Sequence, residues 1–197
     1  MDKKNYKDRA LINQKKAYRV LNDSGIVEIW ENAGCKVNLI GSLKMELLAA
    51  HRDIDLHVYS SGITEEQSFA IAAKMAAIPG VTEIKYINGL QTDEHCISWH
   101  VKYIDEDEED WTFDIIHIET GSRYDGYFER MAERIVDVMT PEQKETILRL
   151  KFETPVAEKI RGVEYYEAVI ADGVTTLEDL RRWIQAHRAR PQYYWIP

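Results

Sequence analysis

The chain has 197 residues, is 45% hydrophobic and carries a formal net charge of −9. That length fits one domain, or one domain with a helical extension, and the apolar content excludes a disordered chain. The acidic balance, with no dense Lys/Arg cluster beyond the N-terminal helix, argues against a long nucleic acid as partner.

Residues 5–22 read as an amphipathic helix, with Ala10, Leu11, Ala17, Tyr18 and Leu21 at spacings of three, four and seven. This segment lacks the apolar core of a secretion signal, and no apolar run approaches the ~20 residues that cross a bilayer. A cytoplasmic protein without a membrane partner is expected. "NDSG" ends the helix, and Ser24 is placed to N-cap a short helix over 25–33 that stops at Gly34. "KVNLI" reads as a buried strand running into Gly41-Ser42, "LKMELLAA" as one or two helical turns, and "RDIDLHVYS" as the second strand.

"TEEQSFAIAAKMAAIPG" predicts a helix with a capping box from Thr64 and Gln67 and a Pro-Gly stop. "VTEIKYI" and "HCISWHVKYI" read as strands, followed by the acidic run Asp105–Asp110 as a solvated hairpin turn and by the strand "WTFDIIHIE". Cys35 and Cys96 are isolated, so neither a structural zinc site nor a disulfide is expected, and Cys96 reads as a small core thiol. From Tyr124 onward the periodicity is helical: near 125–138, from Thr140-Pro141, near 163–171, and over "TTLEDLRRWIQAHR" from a capping threonine. The reading is an α/β fold (α+β), a mixed sheet with helices on one side followed by a helical C-terminal part. The division is 1–120 for the α/β unit with its N-terminal helices and 121–197 for the helical region, packed as one compact body.

Asp53 and Asp55 alternate with Ile54 and Leu56, so a strand aims both carboxylates to one face. Like charges that close repel unless a cation sits between them. Asp114 lies in a second apolar strand, between Phe113 and Ile115. If the two strands are neighbours, three carboxylates converge. Oxygen ligands on rigid strands suit Mg²⁺, and two such ions about 3.5–4 Å apart would clamp an in-line phosphoryl displacement. Gly41 after a strand permits a tight turn and close approach of a phosphate, and Ser42 adds a hydroxyl donor.

This strand–"GS"–helix–"DID" arrangement, with a later strand aspartate, resembles the nucleotidyltransferase superfamily related to DNA polymerase beta. The likeness rests on Gly41, Ser42, Asp53, Asp55 and Asp114, spans about 24–120, and looks most similar to the small bacterial antibiotic adenylyltransferases. The resemblance implies that Asp53 and Asp55 hold two Mg²⁺ ions. Asp114 would hold the catalytic ion and help deprotonate the acceptor hydroxyl, while Gly41 and Ser42 cradle the β- and γ-phosphates of an NTP such as ATP. The reaction implied is transfer of a nucleoside monophosphate to a small hydroxylated acceptor, with release of pyrophosphate and no covalent nucleophile.

Other residues carry weaker expectations. Lys44, two positions past Ser42, and Lys159 are candidates for phosphate contact, and Arg161, Tyr165 and Tyr166 gather near Lys159. Arg52 reads as a surface ion-pair residue, His57 as bordering the carboxylates, and His117 as pointing away from Asp114. His51 and His100 carry no expectation. Trp183 and the tail "PQYYWIP" read as core or docking aromatics, or as a homodimer contact. Two competing functions stay open: a non-catalytic or regulatory module of this fold that binds nucleotide without turnover, as in a toxin–antitoxin pair, and another carboxylate–metal enzyme such as a phosphohydrolase.

Overall fold

The structure is a computed structural model that describes residues 3–188 and 195–197. Two helices open the chain, α1 (Lys3–Asp23) and α2 (Ile26–Asn32). Strand β1 (Lys36–Leu39), the single turn α3 (Gly41–Lys44) and strand β2 (Asp53–Ser60) follow. Helix α4 (Glu65–Ala76) leads to strands β3 (Val81–Asn88), β4 (Cys96–Ile104) and β5 (Asp110–Glu119). Helices α5 (Tyr127–Val138), α6 (Pro141–Glu153), α7 (Gly162–Ile170) and α8 (Leu177–Arg188) complete the fold.

The five strands form one mixed sheet in the order β1-β2-β5-β4-β3. β2 and β5 are parallel neighbours, which requires the intervening chain to cross over, while the other pairs are antiparallel. Strand alternation sends Ile54, Leu56 and Val58 to one face, into a core with Trp30, Ile71 and Met75 from α2 and α4. The opposite face is met by the C-terminal helices: Phe128 of α5 packs edge-on against His57, with ring centroids 5.2 Å apart. A second core gathers Ile147, Leu150, Tyr165, Ala168, Leu180 and Trp195. Helix α1 joins the two, placing Ala17 and Val20 in the first core and Ala10 in the second. Burying each large side chain contributes about 1.5–3 kcal/mol, so these faces, more than helix propensity, fix the arrangement.

Several local expectations hold. Thr64 Oγ1 accepts from the backbone of Gln67 at 3.2 Å, one half of the expected capping box, while Thr140 and Gln143 form the full reciprocal box. Thr176 Oγ1 accepts from Asp179 N at 3.1 Å at the start of α8. Three details differ. The cap of α2 is Gly25, with φ 71°, because the chain needs a left-handed residue between two helices, and Ser24 Oγ only approaches Ile26 N at 3.4 Å. The helix expected over "LKMELLAA" starts at Gly41 and ends at Lys44. Glu46 then turns left-handed (φ 57°), which frees Leu47 and Leu48 to enter two different cores. The acidic turn is anchored as well as solvated. Asp105 is buried and accepts from Trp111 Nε1 at 3.0 Å, Asp107 pairs with Arg19, and Glu109 takes Lys16 and Arg52. Arg52 is therefore an ion-pair residue, and the run ties the β4–β5 hairpin to α1.

Cys35 and Cys96 are both buried free thiols. Trp183 is buried, donating to Asp172 at 2.6 Å and stacking on His187. Of the tail, Trp195 is core, whereas Tyr193 and Tyr194 lie outside the described residues. Among the described residues no helix is long and apolar enough to cross a membrane.

Candidate active site

β2 and β5 lie side by side with Asp55 directly opposite Asp114 and Asp53 opposite Thr112. In-register residues of parallel neighbours point to the same face, so the topology puts the three aspartates on one side of the sheet near the starts of both strands. The carboxyl of Asp55 is pushed up to about 7, chiefly by burial and then by repulsion from Asp53 and Asp114. Lys151 and the backbone N–H of Ser42 offset part of this. Asp53 Oδ1 is buried without a hydrogen-bond partner. An orphaned carboxylate oxygen costs free energy that a bound cation would repay.

Gly41 is required by this cluster. Its φ is +67°, and a Cβ built there would overlap Asp55 Oδ2 and stand 2.8 Å from Asp55 Cβ. The space that the missing side chain leaves is filled by Asp55 itself. Ser42 is buried next to it, at the head of α3.

Two adjoining hollows open on the carboxylates. A cavity of about 340 Å³ between the sheet and the C-terminal helices is lined by Gly41, Ser42, Asp53, Asp55, Lys151 and Tyr166, with His57, Phe128, Met131 and Val163 among its further walls. A more open cleft of about 680 Å³ shares Asp53 and is edged by Thr112, Asp114, Lys159 and Arg161. Of the remaining sequence candidates, Tyr165 lines the inner cavity and Lys159 stands exposed on the outer rim. Lys44, the last residue of α3, is exposed and lines neither hollow. His57 is buried and borders the inner cavity, His51 borders both, and His117 faces the opposite core against Trp30.

Two residues were not anticipated. Lys151 of α6 is buried, its Nζ donating to Leu47 O at 2.9 Å and lying 3.4 Å from Tyr166 Oη. Burial pulls its ammonium down to about 8, while Asp53 and Asp55 pull it back up. The signal was present: Lys151 follows Ile147 by four residues and sits on the apolar face of α6. The second is His100, whose Nδ1 lies 2.5 Å from Asp114 Oδ1. Counting outward from the acidic turn, with Ile104 opposite Asp110, gives the His100–Asp114 pairing directly.

Hard carboxylate oxygens, an orphaned Asp53 Oδ1 and mutual repulsion at Asp55 fit a divalent cation such as Mg²⁺. Among the described residues, no group of three or more His, Cys, Asp and Glu is drawn tightly enough to ligate an ion by itself, and His100 holds one of the two Asp114 oxygens.

No protein-family model and no curated protein matches the chain. Solved structures do. The Cid1 poly(U) polymerase bound to MgGTP superposes with a TM-score of 0.55 at 13% identity, over 79% of this chain and 49% of that one. A cytoplasmic RNA terminal U-transferase gives 0.52 at 14% identity, over 84% and 53%. The polymerase core of TRAMP, an RNA surveillance complex, gives 0.51 at 13%, over 85% and 57%. The chain thus spans about half the length of these structures, and what it shares with them is the nucleotidyltransferase fold.

Proposed function

We propose that the chain is a Mg²⁺-dependent nucleotidyltransferase that moves a nucleoside monophosphate from an NTP to a hydroxyl and releases pyrophosphate. The observation that carries this reading is Asp55: opposite Asp114, two residues from Asp53, and seated in the space left by Gly41. In this reading Asp53, Asp55 and Asp114 would hold the metal, and bound Mg²⁺ would supply charge neutralisation for the attacking and leaving oxygens. Asp114, on the open cleft, would take the proton of the acceptor hydroxyl, with His100 on its Oδ1 fixing its orientation. Gly41 and Ser42 would meet the β- and γ-phosphates. Lys159 on the rim and buried Lys151 would add positive charge there, whereas Lys44 is withdrawn from the phosphate contacts. The apolar walls from Phe128, Met131, Val163 and Tyr165 would exclude water around the nucleoside.

We read the acceptor as a small hydroxylated molecule, because the acidic chain offers little attraction for a polyanion. The second reading is an RNA 3′ end. It is supported by the open cleft, where His51, Arg52, Lys159 and Arg161 surround Asp53 and Asp114, and by the RNA-acting neighbours of the same fold. Arg52 and Arg161 are already paired, with Glu109 and Glu164, which weighs toward the small acceptor.

The experiment is pyrophosphate release from ATP, CTP, GTP and UTP with Mg²⁺, using one panel of aminoglycosides and other polyols and one of short RNAs. Release with a polyol supports the first acceptor class, and release with RNA alone supports the second. Nucleotide binding without release from either panel supports the non-catalytic module.

A further inference from the structure

A further cavity bordered by β2 lies away from the carboxylates. It measures about 760 Å³ and sits where the C-terminal ends of β2 and β5 meet α2 and α4. Asp53, Asp55 and Asp114 stand near the opposite ends of the same strands and on the other face. The alternation Ile54, Leu56, Val58 calls for an apolar residue next, and the chain supplies Ser60. The alternation Phe113, Ile115 calls for the same, and the chain supplies His117. Helix α4 adds Ser68, fully buried.

These polar groups form one connected chain that runs from Ser60 and His117 at the cavity floor to Ser68 in the core beneath. His117 Nε2 lies 2.7 Å from Ser60 Oγ, and Ser60 draws the Cys35 thiol partly back from the rise that burial gives it. On its other side His117 Nδ1 lies 3.5 Å from Ser68 Oγ, which accepts from Trp99 Nε1 at 2.9 Å. Burial pulls His117 down to about 4, so it is neutral at physiological pH and brings no charge to the floor. The charge is at the mouth. Lys36 and Lys74 both line the cavity, both are exposed, and neither ammonium enters an ion pair among the described residues. The acidic groups nearby are engaged with backbone donors. Asp125, which also lines the cavity, accepts from Gly121 N at 2.8 Å, and Glu119 accepts from Gly62 N at 2.7 Å and Ile63 N at 2.8 Å. Gln67, Ser61 and Thr120 complete a rim of neutral hydrogen-bonding groups.

Two uncommitted lysines over a floor of hydroxyl and imidazole groups match an anion of metabolite size. We propose that this cavity is a second ligand site, separate from the carboxylate cleft, for a small molecule bearing a phosphate or carboxylate group. A polar floor at two core-parity positions has a function under this assignment: Ser60 meets the ligand, and His117 and Ser68 hold Ser60 in place. The inference does not depend on the nucleotidyl-transfer reading, since it uses none of the residues placed there.

The test uses two probes, inorganic phosphate and succinate, titrated into the full chain and followed by amide NMR. Saturable shifts at Cys35, Ser61 and Thr120 are expected with at least one probe, and the stronger of the two identifies the anionic group recognised. Lys36→Gln with Lys74→Gln, both exposed positions that leave the core intact, should weaken that binding about tenfold or more. Shifts at Ser42 report the carboxylate cleft and should be unchanged by the double substitution. The proposal is overturned if neither probe gives a saturable shift at Cys35, Ser61 and Thr120. It is equally overturned if the double variant binds as tightly as the parent.

Discussion

Gly41 and Asp55 occupy one volume: the carboxylate of Asp55 fills the place where any other residue at 41 would put its Cβ. The turn after β1 and the carboxylate on β2 are therefore one structural unit. Gly41→Ala adds a clash to a left-handed backbone and should destabilise the fold by about 1–3 kcal/mol. Chemical denaturation measures this. The same variant should lose nucleotidyl transfer, because Asp55 can accommodate the new methyl only by leaving its position.

Asp55→Asn should raise the stability of the metal-free protein above pH 7. The carboxyl is raised from 3.8 to about 7, so its contribution is fully present below about pH 4 and is lost as pH rises through 7. Asparagine has no such loss. Asp55 lines the inner cavity and is only half-buried, which reduces the gain to about 1–2 kcal/mol. Urea unfolding at pH 5 and pH 8 gives the comparison, with the gap between the two proteins wider at the higher pH. Added Mg²⁺ should stabilise the parent and leave the variant unchanged.

Lys151→Met keeps the volume of the side chain and removes the charge. Leu47 O then loses a buried donor, and Asp53 and Asp55 lose their nearest buried cation. A cost of about 1–3 kcal/mol in stability is expected, with a fall in turnover greater than that of Lys44→Met, whose side chain faces solvent. Equal turnover in the two variants would remove Lys151 from the site.

The architecture was legible because its signals are local and redundant. Thr64, Thr140 and Thr176 mark helix starts that the backbone uses, and the Asp-x-Asp alternation fixes the face of β2. Lys151 escaped notice for a physical reason: a lysine in a helix reads as solvated until the neighbouring helix and loop that bury it are known. Its partners Leu47 and Tyr166 are 104 and 15 residues away. His100 was hidden by strand register, which a hairpin count could have recovered. Gly41 was read as making room for a phosphate, yet the group that fills its space is Asp55, a contact that only the packing of α3 on β2 reveals.

Glu129 ties the helical half to the sheet. Its Oε1 accepts from Tyr59 Oη at 2.6 Å and Asn38 Nδ2 at 2.9 Å, with His57 Nδ1 3.9 Å from Oε2. Burial by itself pushes this carboxyl up, but His57, Tyr59 and Asn38 outweigh it and hold it down to about 2. A depressed carboxyl stabilises the fold above its ordinary value of 4.5, and that stability is lost as pH falls toward 2. Glu129→Gln should therefore cost about 1–2 kcal/mol at pH 7, and the deficit should shrink through pH 4 to 2. Thermal unfolding across that range reads the difference.

The active-site account stands on a cation held among strand carboxylates, and Mn²⁺ binding followed by electron paramagnetic resonance at pH 8 addresses it without assuming an acceptor. Saturable binding by the parent chain, abolished in Asp55→Asn and in Asp53→Asn while both variants remain folded, is the expected result. Mn²⁺ bound with equal strength by all three proteins, or by none of them even with ATP present, contradicts it.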